Sequence, residues 1–125
     1  MRIKIDSADQ WFSKYIRLRD GECRRCHSPV KFNSDGDPVT HQASHFQGRA
    51  KEATRFDPEN LDCLCGGCHM YLGANPFEHV QWQIKTKGEN RVNAIIIRSN
   101  SYKKKDRKLE AMIWKQAYKD LKKRK

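Results

Sequence analysis

Residues 63–73 read CLCGGCHMYLG, and residues 23–27 read CRRCH. The spacing of these two stretches decides the fold. A CxxC turn presents two thiolates at the bite a tetrahedral zinc ion takes, and structural zinc sites are often built from four cysteines. Cys23 and Cys26 form one such pair, Cys65 and Cys68 the other. Gly66 and Gly67 lie inside the second pair and let the backbone turn without a Cβ clash. The expectation is one structural Zn²⁺ that clamps the N-terminal part of the chain to the second knuckle and contributes directly to folding. Cys63 is left over and reads as a buried apolar residue. His27 reads as a surface residue of the knuckle, because four thiolates already complete the ion.

Working outward, SADQWFSKYIRLRD (7–20) predicts a helix capped by Ser7 and Gln10 and stopped by Gly21. Residues 29–45 predict a β-hairpin, with VKF and PVTHQASH on either side of the Asp-Gly turn in NSDGD. Residues 46–62 read as a loop and 67–72 as a short helix ended by Gly73. Asn75, Pro76 and Glu78 open a helix over 76–87, with Phe77, Val80 and Ile84 on its buried face. A helix over 89–98 is chosen over a strand, on Val92, Ile95 and Ile96. Another over 104–123 carries an apolar stripe of Leu109, Met112, Ile113, Ala117 and Leu121, with Trp114 and Tyr118 on its flank. The fold class expected is α+β, mainly helical. A zinc-stapled core with a β-hairpin and accessory helices would occupy 1–100, and a basic C-terminal helix 101–125.

The chain has 125 residues, and only 37% of them are hydrophobic. Its mean hydropathy is -0.97. A short and polar chain buries a modest core, so a metal staple is a sensible addition. MRIKIDSADQ is polar and charged, unlike a secretory signal, and no apolar run approaches the roughly 20 residues that cross a bilayer. A reducing, cytoplasmic compartment and no membrane partner are therefore expected, which favours metal ligation over disulfides. The net charge of +11 points to an acidic polymer, nucleic acid first. Most of the excess sits in residues 102–125, with eleven Lys or Arg against three Asp or Glu.

Between the knuckles lies HQASHF (41–46), and Asn60 precedes the second knuckle in DPENLDCLCGGCH. The order CxxC, a histidine closing a hairpin, then NL(x)CxxCH resembles the zinc-stabilised HNH, or ββα-metal, treble-clef endonucleases. More narrowly, WFSKYIRLRDGECRRC, ASHFQGR, RFDPENLDCLCGGC and LGANP are similar to the phage lambda NinG (Rap) recombination nuclease family, over roughly residues 7–100. The resemblance implies a metal-dependent DNA endonuclease acting in recombination or on branched DNA, in a phage or prophage setting and so in a host cytoplasm. It makes His45, Asn60 and His69 the catalytic residues. His45 would take the proton of the attacking water, since a neutral imidazole does so near pH 7. Asn60 would hold the hairpin loop, and His69 would bind one divalent ion, Mg²⁺, Mn²⁺ or Ni²⁺.

Many HNH enzymes carry an acid just before the general base. Here that position is Ser44, a weak ligand. His41 is the expected substitute, two residues along a strand face from Ala43 and four from His45; Asp57 or Asp62 would contribute if their loop folds inward. A histidine-rich site favours softer ions over Mg²⁺. Arg24, Arg25, Arg49 and Arg55 flank the candidate site and suit phosphate contacts through their planar forks. The basic tail would either pack on the domain or pair with a second subunit as a homodimer. His79 reads as a surface residue. The competing function is a non-catalytic, zinc-stapled nucleic-acid-binding module, which Ser44 supports.

Overall fold

The computed structural model describes residues 3–125. Its elements run α1 (Ser7–Asp20), β1 (Gln42–His45), α2 (Glu52–Arg55), a 3₁₀ turn (Pro58–Asn60), β2 (Leu61–Leu64), α3 (Gly66–Ala74), α4 (Pro76–Lys87), α5 (Glu89–Ser99) and α6 (Arg107–Arg124). The chain is α+β and mainly helical, with a single two-stranded sheet among the described residues. No described helix is long and apolar enough to cross a membrane.

Helix α1 spans the residues its sequence predicts, but its cap lies one residue earlier. Asp6, not Ser7, is the N-cap, and Asp9 closes the capping box: Asp9 N donates to Asp6 Oδ1 (3.1 Å) and Asp6 N to Asp9 Oδ2 (3.0 Å). Gly21 ends the helix in the left-handed region at φ 68°, where a Cβ would be strained. Phe12 and Ile16 bury fully against Phe56, Leu61 and Cys63. Each such side chain contributes roughly 2–3 kcal/mol on burial.

The expected hairpin forms only as a stub. Phe32 and Pro38 make one isolated bridge, and Asn33 Oδ1 accepts from the backbone N–H of Asp35 and Asp37 to shape the turn. Residues 42–45 pair elsewhere. β1 runs antiparallel to β2, with Gln42 opposite Leu64 and His45 opposite Leu61. The reason is burial. All four residues of β2 are buried, whereas Lys31 and Phe32 lie in solvent. His41, at φ 69°, breaks the extended chain just before β1. The segment 46–62, read as loop, also contains α2, the 3₁₀ turn and the start of β2.

The other helices lie close to expectation, but two turn a different face to the core. On α4, Phe77 is 75% exposed and Gln83 is fully buried. On α6, Leu109, Met112 and Ile113 are exposed, while Ala111 and Trp114 pack on the core and Tyr118 is 3% exposed. Trp114 lies 4.4 Å from Phe12 and 5.1 Å from Tyr15, ring centre to ring centre, and Trp11 stacks near Tyr118 at 5.8 Å. Arg107 pairs with Asp6 and Lys125 donates to the Leu18 carbonyl, so α6 lies along α1 in the same direction. The 101–125 segment is thus packed against the body of the chain rather than standing apart from it.

Candidate metal centre and histidine cleft

The ligand sulfurs of Cys23, Cys26, Cys65 and Cys68 all lie within 4.8 Å of one another. Cys26 Sγ is 3.6 Å from Cys65 Sγ. A tetrahedron with zinc–sulfur bonds of about 2.3 Å needs sulfurs about 3.8 Å apart, so the donor set fits a structural Zn²⁺. Two backbone N–H groups and one guanidinium are arranged for charged sulfurs. Cys26 N donates to Cys23 Sγ (3.4 Å), Cys68 N to Cys65 Sγ (3.5 Å) and Arg25 Nη1 to Cys68 Sγ (3.4 Å). Cys63 stands apart from the cluster, fully buried on β2, where burial pushes its thiol up to about 12. The chain can therefore hold one zinc through the four cysteines its spacing singles out.

Cys65 also caps α3, and His69 N donates to the Cys65 carbonyl at 2.9 Å. The cysteine knuckle thus sets the start of the helix that carries His69. His69 faces a cleft of about 640 Å³ that His45, His41, Arg17 and Arg49 also line.

His45 ends β1, and its ring is oriented from behind. Nε2 lies 3.0 Å from the Arg55 carbonyl, which can only accept, so Nε2 carries the proton and Nδ1 is left as the basic nitrogen. Burial first, and then the Arg49 charge, push the His45 imidazole down to about 4, so the ring is neutral at pH 7. Arg55 is itself fixed: its Nε donates to Asp9 Oδ1 (2.9 Å) and its Nη2 to the Lys4 carbonyl (2.7 Å). Burial raises the Asp9 carboxyl, but hydrogen bonds from Arg55 and Asp6 outweigh it and hold the group below its ordinary range.

Asn60 is fully buried and spends its whole amide on one loop. Its Oδ1 accepts from Gln47 N (2.7 Å), and its Nδ2 donates to the Gln47 carbonyl (2.8 Å) and the Thr54 carbonyl (3.0 Å). Phe46 N adds a bond to the Asn60 carbonyl at 2.8 Å. The two ends of the 46–60 segment are thereby fastened together immediately after His45.

Several sequence expectations need correction. His41 lies outside β1, and its Nε2 is 3.0 Å from the Ser28 carbonyl while its Nδ1 is 3.0 Å from Thr40 Oγ1. A ring engaged at both nitrogens does not offer a free ligand to an ion. Ser44 pairs with Asp62 on the sheet face away from His45, and Asp62 is taken up by Lys87 and Gln83 at 2.9 Å each. Asp57 pairs with Arg98. Among the described residues, the four cysteines are the only group of three or more His, Cys, Asp or Glu donors that converges. Of the two histidines expected to hold a catalytic divalent ion, both line the cleft, and His41 is engaged at both ring nitrogens.

Of the four arginines expected at phosphate, only Arg49 lines the histidine cleft. Arg55 is 4% exposed and committed to Asp9, so it is a structural residue. Arg25 lies on the Tyr71 ring at 4.5 Å, and with Arg24 it borders a different cleft, against α4. Arg17, which no sequence motif marks, also lines the histidine cleft. It sits one turn from Ser13 on α1, and only the packing of β1 against that helix turns the pair into a cleft wall. His79 is half-buried, beside Phe46 and bonded to Gln83 at 3.1 Å, not a surface residue.

No family model, no curated protein and no solved structure matches this chain.

Proposed function

We propose that the chain is a DNA endonuclease of the HNH kind, stapled by a structural zinc and using His45 as general base. One observation carries the reading. His45 is held by a carbonyl at Nε2, which leaves Nδ1 free, and Asn60 fastens the following loop beside it. This is the arrangement a positioned base requires, because geometry must be fixed before proton transfer is efficient. The +11 charge supports a polyanionic substrate, and the resemblance to NinG-type nucleases suggests branched or recombining DNA.

In the reaction, His45 Nδ1 takes a proton from water and the water oxygen bonds to phosphorus. The phosphorus–oxygen bond to the leaving sugar breaks, and that oxygen takes a proton from solvent. The two walls holding His45 and His69 come from the sheet and from the helix capped by Cys65, so a zinc held by the four cysteines would fix shape and would not touch the phosphate. A second reading, a binding module without catalysis, is favoured by the missing carboxylate beside His45.

Cleavage of supercoiled plasmid and of a four-way junction separates the two. Zinc-loaded protein is assayed with Mg²⁺, Mn²⁺, Ni²⁺ or no added ion, beside His45→Ala. Cutting that the variant loses supports the nuclease. DNA binding by both proteins, with no cutting under any condition, leaves the binding module in its place.

A further inference from the structure

Among the described residues, three buried side-chain polar atoms lack a hydrogen-bond partner: Arg49 Nε, His69 Nδ1 and Gln83 Oε1. Two of the three belong to residues lining one cleft, the one that contains His45. Buried polar groups are almost always paired, so two orphans on residues that line one cleft point to a partner there.

The chemistry of that partner follows from the walls. Arg49 and Arg17 line the cleft, and no Asp, Glu or Cys does. The nearest carboxylate is Asp9, 3.8 Å from Arg49 Nε and beyond hydrogen-bond reach. Asp9 is already occupied by Arg55 and by the Asp6 N–H. Arg49 is therefore held in place by a neighbouring charge while its own donors stay unspent. A guanidinium with free donors beside an imidazole nitrogen recognises an oxyanion, and the planar fork of arginine suits phosphate.

We propose that this cleft binds a phosphodiester directly through Arg49 and His69, with the guanidinium supplying the positive charge that a protein-held divalent cation would otherwise supply. The inference rests on the nuclease reading for the identity of the phosphate as DNA backbone. The binding site itself rests on the orphaned Arg49 Nε, on the unpartnered His69 Nδ1 in its protonated tautomer, and on the cleft their residues line. It accounts for the poor donor set of the expected divalent ion: a fixed cation already faces the place where negative charge would develop.

The test is binding of thymidine dinucleotide, d(TpT), and of inorganic phosphate to zinc-loaded protein in buffer stripped of other divalent cations, followed by calorimetry and by ³¹P resonance shifts. Wild type, R49A, R49K and the exposed control R91A are compared, each first checked for zinc content and circular dichroism. The expected result is saturable d(TpT) binding without added metal, weakened roughly ten- to a hundredfold in R49A, partly restored in R49K and unchanged in R91A. Tighter binding of inorganic phosphate than of d(TpT) would identify a phosphate-monoester site and overturn the diester assignment. Binding that needs added Mg²⁺ or Mn²⁺, or that R49A leaves intact, overturns the site. H45A separates the two ideas. Retained d(TpT) binding with no DNA cleavage by wild type removes the nuclease and keeps the site, whereas metal-dependent cleavage indifferent to R49A removes the site and keeps the nuclease.

Discussion

At the scale of single residues, the cleft depends on side chains that act by holding others. Asn60 touches no cleft wall, yet it ties Gln47 and Thr54 into the loop behind His45. Asn60→Ala leaves the Gln47 N–H and carbonyl without these partners and removes one of the bonds to the Thr54 carbonyl, and a loss of about 2–3 kcal/mol is expected in urea denaturation of the zinc-loaded protein. A loss below about 0.5 kcal/mol would show that water replaces the amide without cost. His45 offers a second check. Its folded value is about 4, below the unfolded value near 6.5, so the unfolded chain binds more protons between the two. The stability tied to this neutral ring is complete above roughly pH 6.5 and falls away as pH drops toward 4. The His45 Cε1–H resonance should therefore stay flat from about pH 7.5 to 5.5, whereas a midpoint near 6.5 would mean that the ring is solvated. His45, Asn60 and His69 were legible as a pattern in the sequence. Arg17 was not, because a lone arginine on an amphipathic helix looks like any solvated charge until β1 packs beside it.

At the scale of elements, hydrophobic periodicity found the helices and misjudged which face they bury. On α6 the sequence stripe is Leu109, Met112, Ile113, Ala117 and Leu121; the first three are exposed and the last two half-buried, while Trp114 and Tyr118 on its flank do most of the packing. One large ring against Phe12 and Tyr15 outweighs three smaller side chains on the other side, because burial free energy scales with area. Trp114→Ala should cost roughly 3 kcal/mol, and Met112→Ala less than about 0.5 kcal/mol, in paired denaturant titrations. The reverse order would restore the stripe as the packed face. On α4 the face follows a polar network instead: Gln83 is buried because Asp62 and His79 receive it. The β1–β2 pairing was hidden for a related reason. LDCL runs into the second knuckle and is buried throughout, so it has no alternation to read.

At the scale of the whole molecule, the four cysteines bridge segments about forty residues apart in sequence and join them to the hydrophobic cluster of Leu64 and Leu72. One zinc per chain is expected by elemental analysis, unchanged in Cys63→Ala. Chelation at neutral pH should unfold the core cooperatively, as loss of circular dichroism; metal-free protein that keeps its full helical signal would overturn the staple. Deleting residues 102–125 removes Trp114 and Tyr118 from the face of α1 and should leave an aggregation-prone remnant rather than a smaller folded domain. By itself the sequence determined the four-cysteine cluster, the helices and the three-residue order His45, Asn60, His69, because each is written in spacing along a local segment. The tertiary structure alone decided which strand pairs with β1, which helix faces are buried, that Arg55 serves Asp9 while Arg49 stays unspent, and that His41 turns toward Ser28. Those outcomes are settled by competition among distant groups for the same partner and the same buried area, and no local pattern records who wins.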